Sequence, residues 1–132
     1  MTGAEAFAAI LSLLSHVLYD DCIHRRRDAI IEDATQAATA HGVPVRLLLA
    51  VGFRESHWGC APASGGCWGA PRDRAHRSTA GRAAHAASAL RLGHSRCGSW
   101  VGAVAHFRCG ACACVGRERY IASVMHLAGG VR

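Results

Sequence analysis

Glu55 is the acidic side chain in this 132-residue chain whose surroundings point to chemistry. It lies near the end of an apolar stretch, residues 43–59, VPVRLLLAVGFRESHWG. Leu47, Leu48, Val51 and Glu55 recur at helical spacing, so the carboxyl shares a face with core residues rather than with Arg46. A carboxyl group held against apolar surface keeps its proton more readily than one in water, which suits a general acid. The plainer reading is a solvated or salt-bridged Glu at a helix end, because Glu is seldom buried without a reason. Among later residues only Asp73 and Glu118 are also acidic. The first sits in an arginine-rich loop, and the second opens a helix, where a negative charge complements the dipole.

The seven cysteines are the other reactive set. Six of them (Cys60, Cys67, Cys97, Cys109, Cys112 and Cys114) fall from residue 60 onward, and Cys22 stands apart as an expected free or buried thiol. The CxxC at Cys109 and Cys112, among nine histidines, raises zinc. Two paired knuckles are missing, however, so disulfides are expected ahead of zinc, with no metal or other cofactor. Their connectivity is not readable from spacing. Disulfides in turn imply an oxidising, extracytoplasmic compartment.

The elements that must position Glu55 read as helices. Much of the 51% hydrophobic content is alanine, with 6% aromatic residues, which favours close-packed helices over sheets. The chain is long enough for one core and no second domain. Residues 4–19 form an apolar run with no basic residue before it and no cleavage site before Asp20 and Asp21. It is too short to span a bilayer, which takes ~20 apolar residues. It is read as a first helix or N-terminal arm, with a leader as the lesser reading, so residues 1–27 are set apart from a main domain of residues 28–132. Arg25, Arg26 and Arg27 read as a solvated helix face. An amphipathic helix is predicted over 28–41, stopped by Gly42, with Pro44 opening the central helix. An irregular stretch over 60–82 follows, rich in Gly, Pro, Ser and Arg. Helices are then predicted over 83–92, ended by a turn at Gly93, over 100–107 after a break near Gly98, and over 117–127 before a flexible Gly129-Gly130 tail.

The order of motifs resembles the soluble lytic transglycosylases of the lysozyme-like superfamily. An apolar helix ends in Glu55-Ser56, a loop Ala63-Ser64-Gly65-Gly66 follows, and Gly98-Ser99-Trp100 leads through Val104-Ala105 to Phe107-Arg108-Cys109-Gly110. Glu118, Tyr120, Ile121 and Val124 then match the family's closing pattern, and the likeness covers roughly residues 28–128. It implies an all-α, lysozyme-like single domain whose central helix carries the catalytic acid beside a long irregular loop. Glu55 would be catalytic, Tyr120 would hydrogen-bond near it, and Ser56, Ser64, Trp68, His106 and Phe107 would contact substrate. Two positions depart from the pattern. Trp68-Gly69-Ala70-Pro71-Arg72 replaces a Gly-Leu-Met-Gln segment, and Arg108 stands where the family's turn has Asn.

The implied chemistry needs one acid, whereas cleaving a glycosidic bond with water ordinarily takes two. A single Glu protonates the bridging oxygen and then removes a proton from the sugar's own hydroxyl, closing an anhydro ring. Of the tryptophans, Trp58 and Trp68 could offer flat faces to sugars, while Trp100 reads as core. The expected partner is peptidoglycan glycan, met by a monomer without a transmembrane anchor. The net charge of +6 and pI near 9.3 suit an acidic envelope polymer. All fifteen basic residues are Arg, a compositional bias that weakens the case for nucleic acid. Two other classes stay open: a weakly active or inactive lysozyme-like module that binds glycan, and a zinc-stabilised basic protein that binds nucleic acid.

Overall fold

The computed structural model describes residues 1–14, 20–61, 68 and 78–131. Among these, six helices and no strand occur: α1 Gly3–Leu13, α2 Asp20–His41, α3 Val45–Ser56, α4 Thr79–Cys97, α5 Trp100–Cys109 and α6 Glu118–Leu127. The all-α expectation holds. Ser64 and Cys67, and most of the irregular stretch, lie outside the described residues.

Helix α3 is the centre of the packing because it is apolar almost all round, the pattern of a helix enclosed by others. Leu47, Leu48, Leu49, Ala50 and Val51 are each 0% exposed, and α1, α2, α4 and α6 all contact this helix. Its start follows the Gly-then-Pro logic. Gly42 takes a left-handed φ of 65°, the Val43 N–H donates to the Ala38 carbonyl at 3.0 Å, and Pro44 is the N-cap.

Helix α1 is fixed by a capping box. The Thr2 hydroxyl accepts from the Glu5 N–H at 3.1 Å, and the Glu5 carboxylate accepts from the Thr2 N–H at 3.1 Å. Ala6, Phe7 and Ile10, one apolar stripe, are buried, and the Phe7 ring lies 4.8 Å from that of Trp58. The N-terminal segment is therefore part of the common core, and its helix ends at Leu13, short of the expected residue 19. Helix α2 begins at Asp20, not at 28, because Ile23 extends the stripe of Ile30, Ala34, Ala37 and Ala38 back through the arginines. The division drawn between residues 27 and 28 falls inside this helix. Arg25 and Arg27 are exposed as expected, but Arg26 turns inward and donates through Nη1 to the Trp58 carbonyl.

Helices α4 and α5 form a close hairpin. Gly93, expected as a turn, lies buried within α4, and a Cβ there would sit 3.0 Å from the Ala103 Cα and carbonyl oxygen. The missing side chain lets two backbones cross where any larger residue would hold them apart. Serine caps open both helices, Ser78 accepting from the Gly81 N–H at 2.9 Å and Ser99 from the Gly102 N–H at 3.0 Å. Left-handed Gly98 and Gly110, each at φ 78°, close them. The end of the stretch expected to be irregular is thus already helical from Thr79.

Three disulfides tie these elements. Cys22 bonds to Cys60 (Cα–Cα 5.8 Å), Cys97 to Cys112 (5.5 Å) and Cys109 to Cys114 (5.9 Å). Cys22 is therefore not the free thiol that its isolation suggested. The cysteine expected as a free or buried thiol pairs across a sequence separation of 38 because α2 and the turn after α3 lie side by side. Closing a loop of that length restricts the unfolded chain by about 4 kcal/mol. Among the described residues no helix is long and apolar enough to cross a membrane, and no group of three metal-ligating side chains converges.

Candidate active site

Glu55 occupies the last turn of α3, and the fold brings Tyr120 of α6 to it. Tyr120, Val124 and Leu127 form the buried face of α6, which packs along α3. The two helices run antiparallel and are joined at both ends. At the start of α3 the Arg46 Nε donates to the Leu127 carbonyl at 2.9 Å, and at its end the Tyr120 hydroxyl donates to Glu55 Oε1 at 2.6 Å. That short bond spans 65 positions of sequence.

Glu55 is sheltered but open, its side chain 15% exposed. Its second oxygen, Oε2, faces the Arg108 guanidinium of α5 at 3.9 Å. Arg54 and Arg108 both lie over the Tyr120 ring, with Cζ 5.5 Å and 5.2 Å from its centroid. Burial, and then the hydrogen bond and negative charge of Glu55, push the Tyr120 phenol well above its ordinary range, so it remains a proton-bearing donor at every ordinary pH. One carboxyl oxygen is thus held by a phenol while the other meets a cation at the rim. Glu118 does not join them, since its Oε1 accepts from the Gly116 N–H at 3.1 Å as α6 begins.

A left-handed turn stops α3 immediately after Glu55-Ser56. His57 and Trp58 take φ of 49° and 55°, conformations that non-glycine residues hold only when their surroundings compel them. Here the surroundings do so from several sides. The His57 N–H donates to the Phe53 carbonyl at 2.7 Å, the indole Nε1 of Trp58 to the Leu49 carbonyl at 2.9 Å, and the Gly59 N–H to the Ser56 hydroxyl at 2.9 Å. Arg26 caps the Trp58 carbonyl, and the Cys22–Cys60 disulfide anchors the exit. Burial, followed by the nearby Arg54, holds the His57 imidazole below its ordinary value of 6.5.

The residues expected to contact substrate are dispersed. Glu55 and Tyr120 meet. Ser56 is 2% exposed, with its hydroxyl engaged in the turn, which gives it a structural place beside the acid. Trp68 is 1% exposed, and Trp58 0%, so neither presents the free ring face that a sugar platform requires. Trp68 instead lies against α3 where Gly52 has no side chain; a Cβ there would overlap its six-membered ring and approach Trp58 Cδ1 to 2.9 Å. His106 Nε2 lies 3.4 Å from Arg96, toward α4, and Phe107 packs partly buried on the core. Trp100, expected in the core, packs against it partly buried, its ring tilted against that of His94 at 4.1 Å between centroids. Ser64 and Asp73 are outside the described residues.

Two residues were missed as site members, Arg54 and Arg108. Arg108 had a signal, since it replaces the Asn of the resembling turn, and Arg54 had only its adjacency to Glu55. A cavity of about 350 Å³ does exist elsewhere, lined by Met1, Pro44, Arg46 and Gly129 among others. It lies at the opposite end of α3 from Glu55, a helix length of ~18 Å away, and contains no acid–base pair. Compared with protein-family models, curated proteins and solved structures, the chain matches none of them.

Proposed function

We propose that the protein cleaves peptidoglycan glycan strands by the one-acid route of lytic transglycosylases. The observation that carries this reading is the 2.6 Å hydrogen bond from Tyr120 to Glu55, formed between motifs that the resemblance pairs in the same way. In the first step Glu55 gives its proton to the oxygen bridging muramic acid and the next sugar, and that C–O bond breaks. In the second, the Glu55 carboxylate takes the proton from the muramic residue's own primary hydroxyl, whose oxygen bonds to the anomeric carbon. The proton returns to Glu55, no water is consumed, and the product ends in an anhydro ring. Tyr120 holds Oε1 throughout, so the same oxygen, Oε2, handles the proton in both directions. Three disulfides support a site of action outside the cytoplasm, and the charge of +6 supports attraction to acidic wall polymers.

A second reading has its own observation. Arg108 lies 3.9 Å from Oε2, on the oxygen that must exchange the proton, and a cation there suits a module that binds glycan without cutting it. One experiment separates the two. Purified peptidoglycan is incubated with wild-type protein and with Glu55→Gln, and the products are weighed by mass spectrometry. Anhydro-ended muropeptides from wild type alone support cleavage by Glu55. Sedimentation with peptidoglycan and no product from either protein supports the binding module, and reducing-end products indicate a hydrolase.

A further inference from the structure

Arg54 and Arg108 place more positive charge at this site than its own carboxylate can balance. Arg108 has Glu55 as its ion-pair partner, at 3.9 Å, while Arg54 makes no ion pair among the described residues. Both stand over Tyr120, which fixes their position relative to the acid, and both reach solvent, the Arg108 side chain being 39% exposed. Each guanidinium, held on the phenol that bonds Glu55, offers a forked donor to a second carboxylate, because a guanidinium meets a carboxylate with two parallel N–H bonds.

Resting on the cleavage reading above, we infer that Arg54 and Arg108 select glycan whose muramic residues carry a free lactyl carboxylate over glycan in which stem peptides cap that group as an amide. The lactyl group is borne by the same sugar whose anomeric carbon reacts, so its charge lies next to the bond being cut. Carboxylates of a stem peptide hang on a flexible chain and have no such fixed position. Once the Glu55 proton has been gained, the site holds two cations and no anion, and the attraction to the lactyl group is largest when the acid is ready to act.

Binding and cleavage are measured on peptide-free strands, peptide-bearing strands and neutral chitin oligomers of equal length. Binding uses Glu55→Gln, which cannot turn over and keeps both arginines. Because these side chains are partly exposed, the expected preference for peptide-free strands is about fivefold in Kd, falling as salt is added. Arg54→Gln and Arg108→Gln each lower it, Arg54→Lys restores only the part that charge alone supplies because an ammonium cannot make two parallel N–H bonds, and Arg91→Gln, which removes one exposed charge from α4, leaves it intact. Circular dichroism of each variant verifies that the helices persist.

Equal affinity for all three glycans, or a preference that survives both glutamine variants, overturns this inference while leaving cleavage untouched. Preference for peptide-free strands in binding without cleavage of any glycan supports the arginine pair and removes the cleavage reading. Failure to bind any of the three removes both.

Discussion

The bond from Tyr120 to Glu55 makes a quantitative prediction through Tyr120→Phe. The substitution deletes one oxygen from a ring that is otherwise 7% exposed, so packing is kept and the hydrogen bond alone is lost. Hydrogen bonds to charged groups contribute about 1.5–3 kcal/mol, and water can reach the freed oxygen of a 15% exposed Glu55, so the lower part of that range applies. About 1.5 kcal/mol is expected, a fall in Tm of roughly 5 °C for a domain of this size. The assay is a double-mutant cycle with Glu55→Ala, which removes the accepting oxygen, by urea denaturation with disulfides intact, in which the coupling between the two positions should reach about 1 kcal/mol or more. Coupling below about 0.3 kcal/mol would refute the reasoning, since two groups that add independently are not joined in solution. On peptidoglycan, Tyr120→Phe should lower kcat more than it raises KM, because the phenol orients the acid and does not hold the glycan.

Further outcomes follow from the same geometry. Gly52→Ala should destabilise by about 1–3 kcal/mol through overlap with Trp68, and the displaced indole should show red-shifted fluorescence. Replacing Cys22 and Cys60 together by Ser should cost up to about 4 kcal/mol and reduce activity more than replacing Cys109 and Cys114, because only the first pair anchors the turn beyond Glu55. His57 gives a pH dependence. Its folded pKa lies below the ordinary 6.5, so it stabilises the fold above that value, and the contribution is lost as pH falls through the depressed folded value. Thermal midpoints should therefore drop between pH 7 and 5, and drop less in His57→Asn, since Asn tolerates the left-handed φ of 49°. Equal slopes for the two proteins would place the acid sensitivity elsewhere.

Local patterns made much of the architecture legible. The stripe of Leu47, Leu48 and Val51, Gly42 before Pro44, and the glycine at 98 each express a rule that operates within one or two helical turns, and the helices formed where those rules placed them. Gly93 and Ile23 broke the reading because their roles are tertiary. A glycine that serves as a turn and one that admits a neighbouring helix look alike until Ala103 is seen against it. The start of α2 was hidden by Arg25, Arg26 and Arg27, whose charges masked the apolar spacing of Ile23 and Ile30.

The site divides in the same way. Periodicity, a property of the chain itself, put Glu55 on the core-facing side of a helix, while Tyr120 was named only by what the resemblance implies. Which side chains touch the acid was decided by the packing of α3 against α6 and by where α5 ends, over separations that no local pattern encodes. Trp68 was drawn into the core by the missing side chain at Gly52, and Arg108 was carried to Glu55. Cys22 found Cys60 for the same reason, because a disulfide needs two backbones within about 7 Å, and proximity of that kind exists only once the helices have packed.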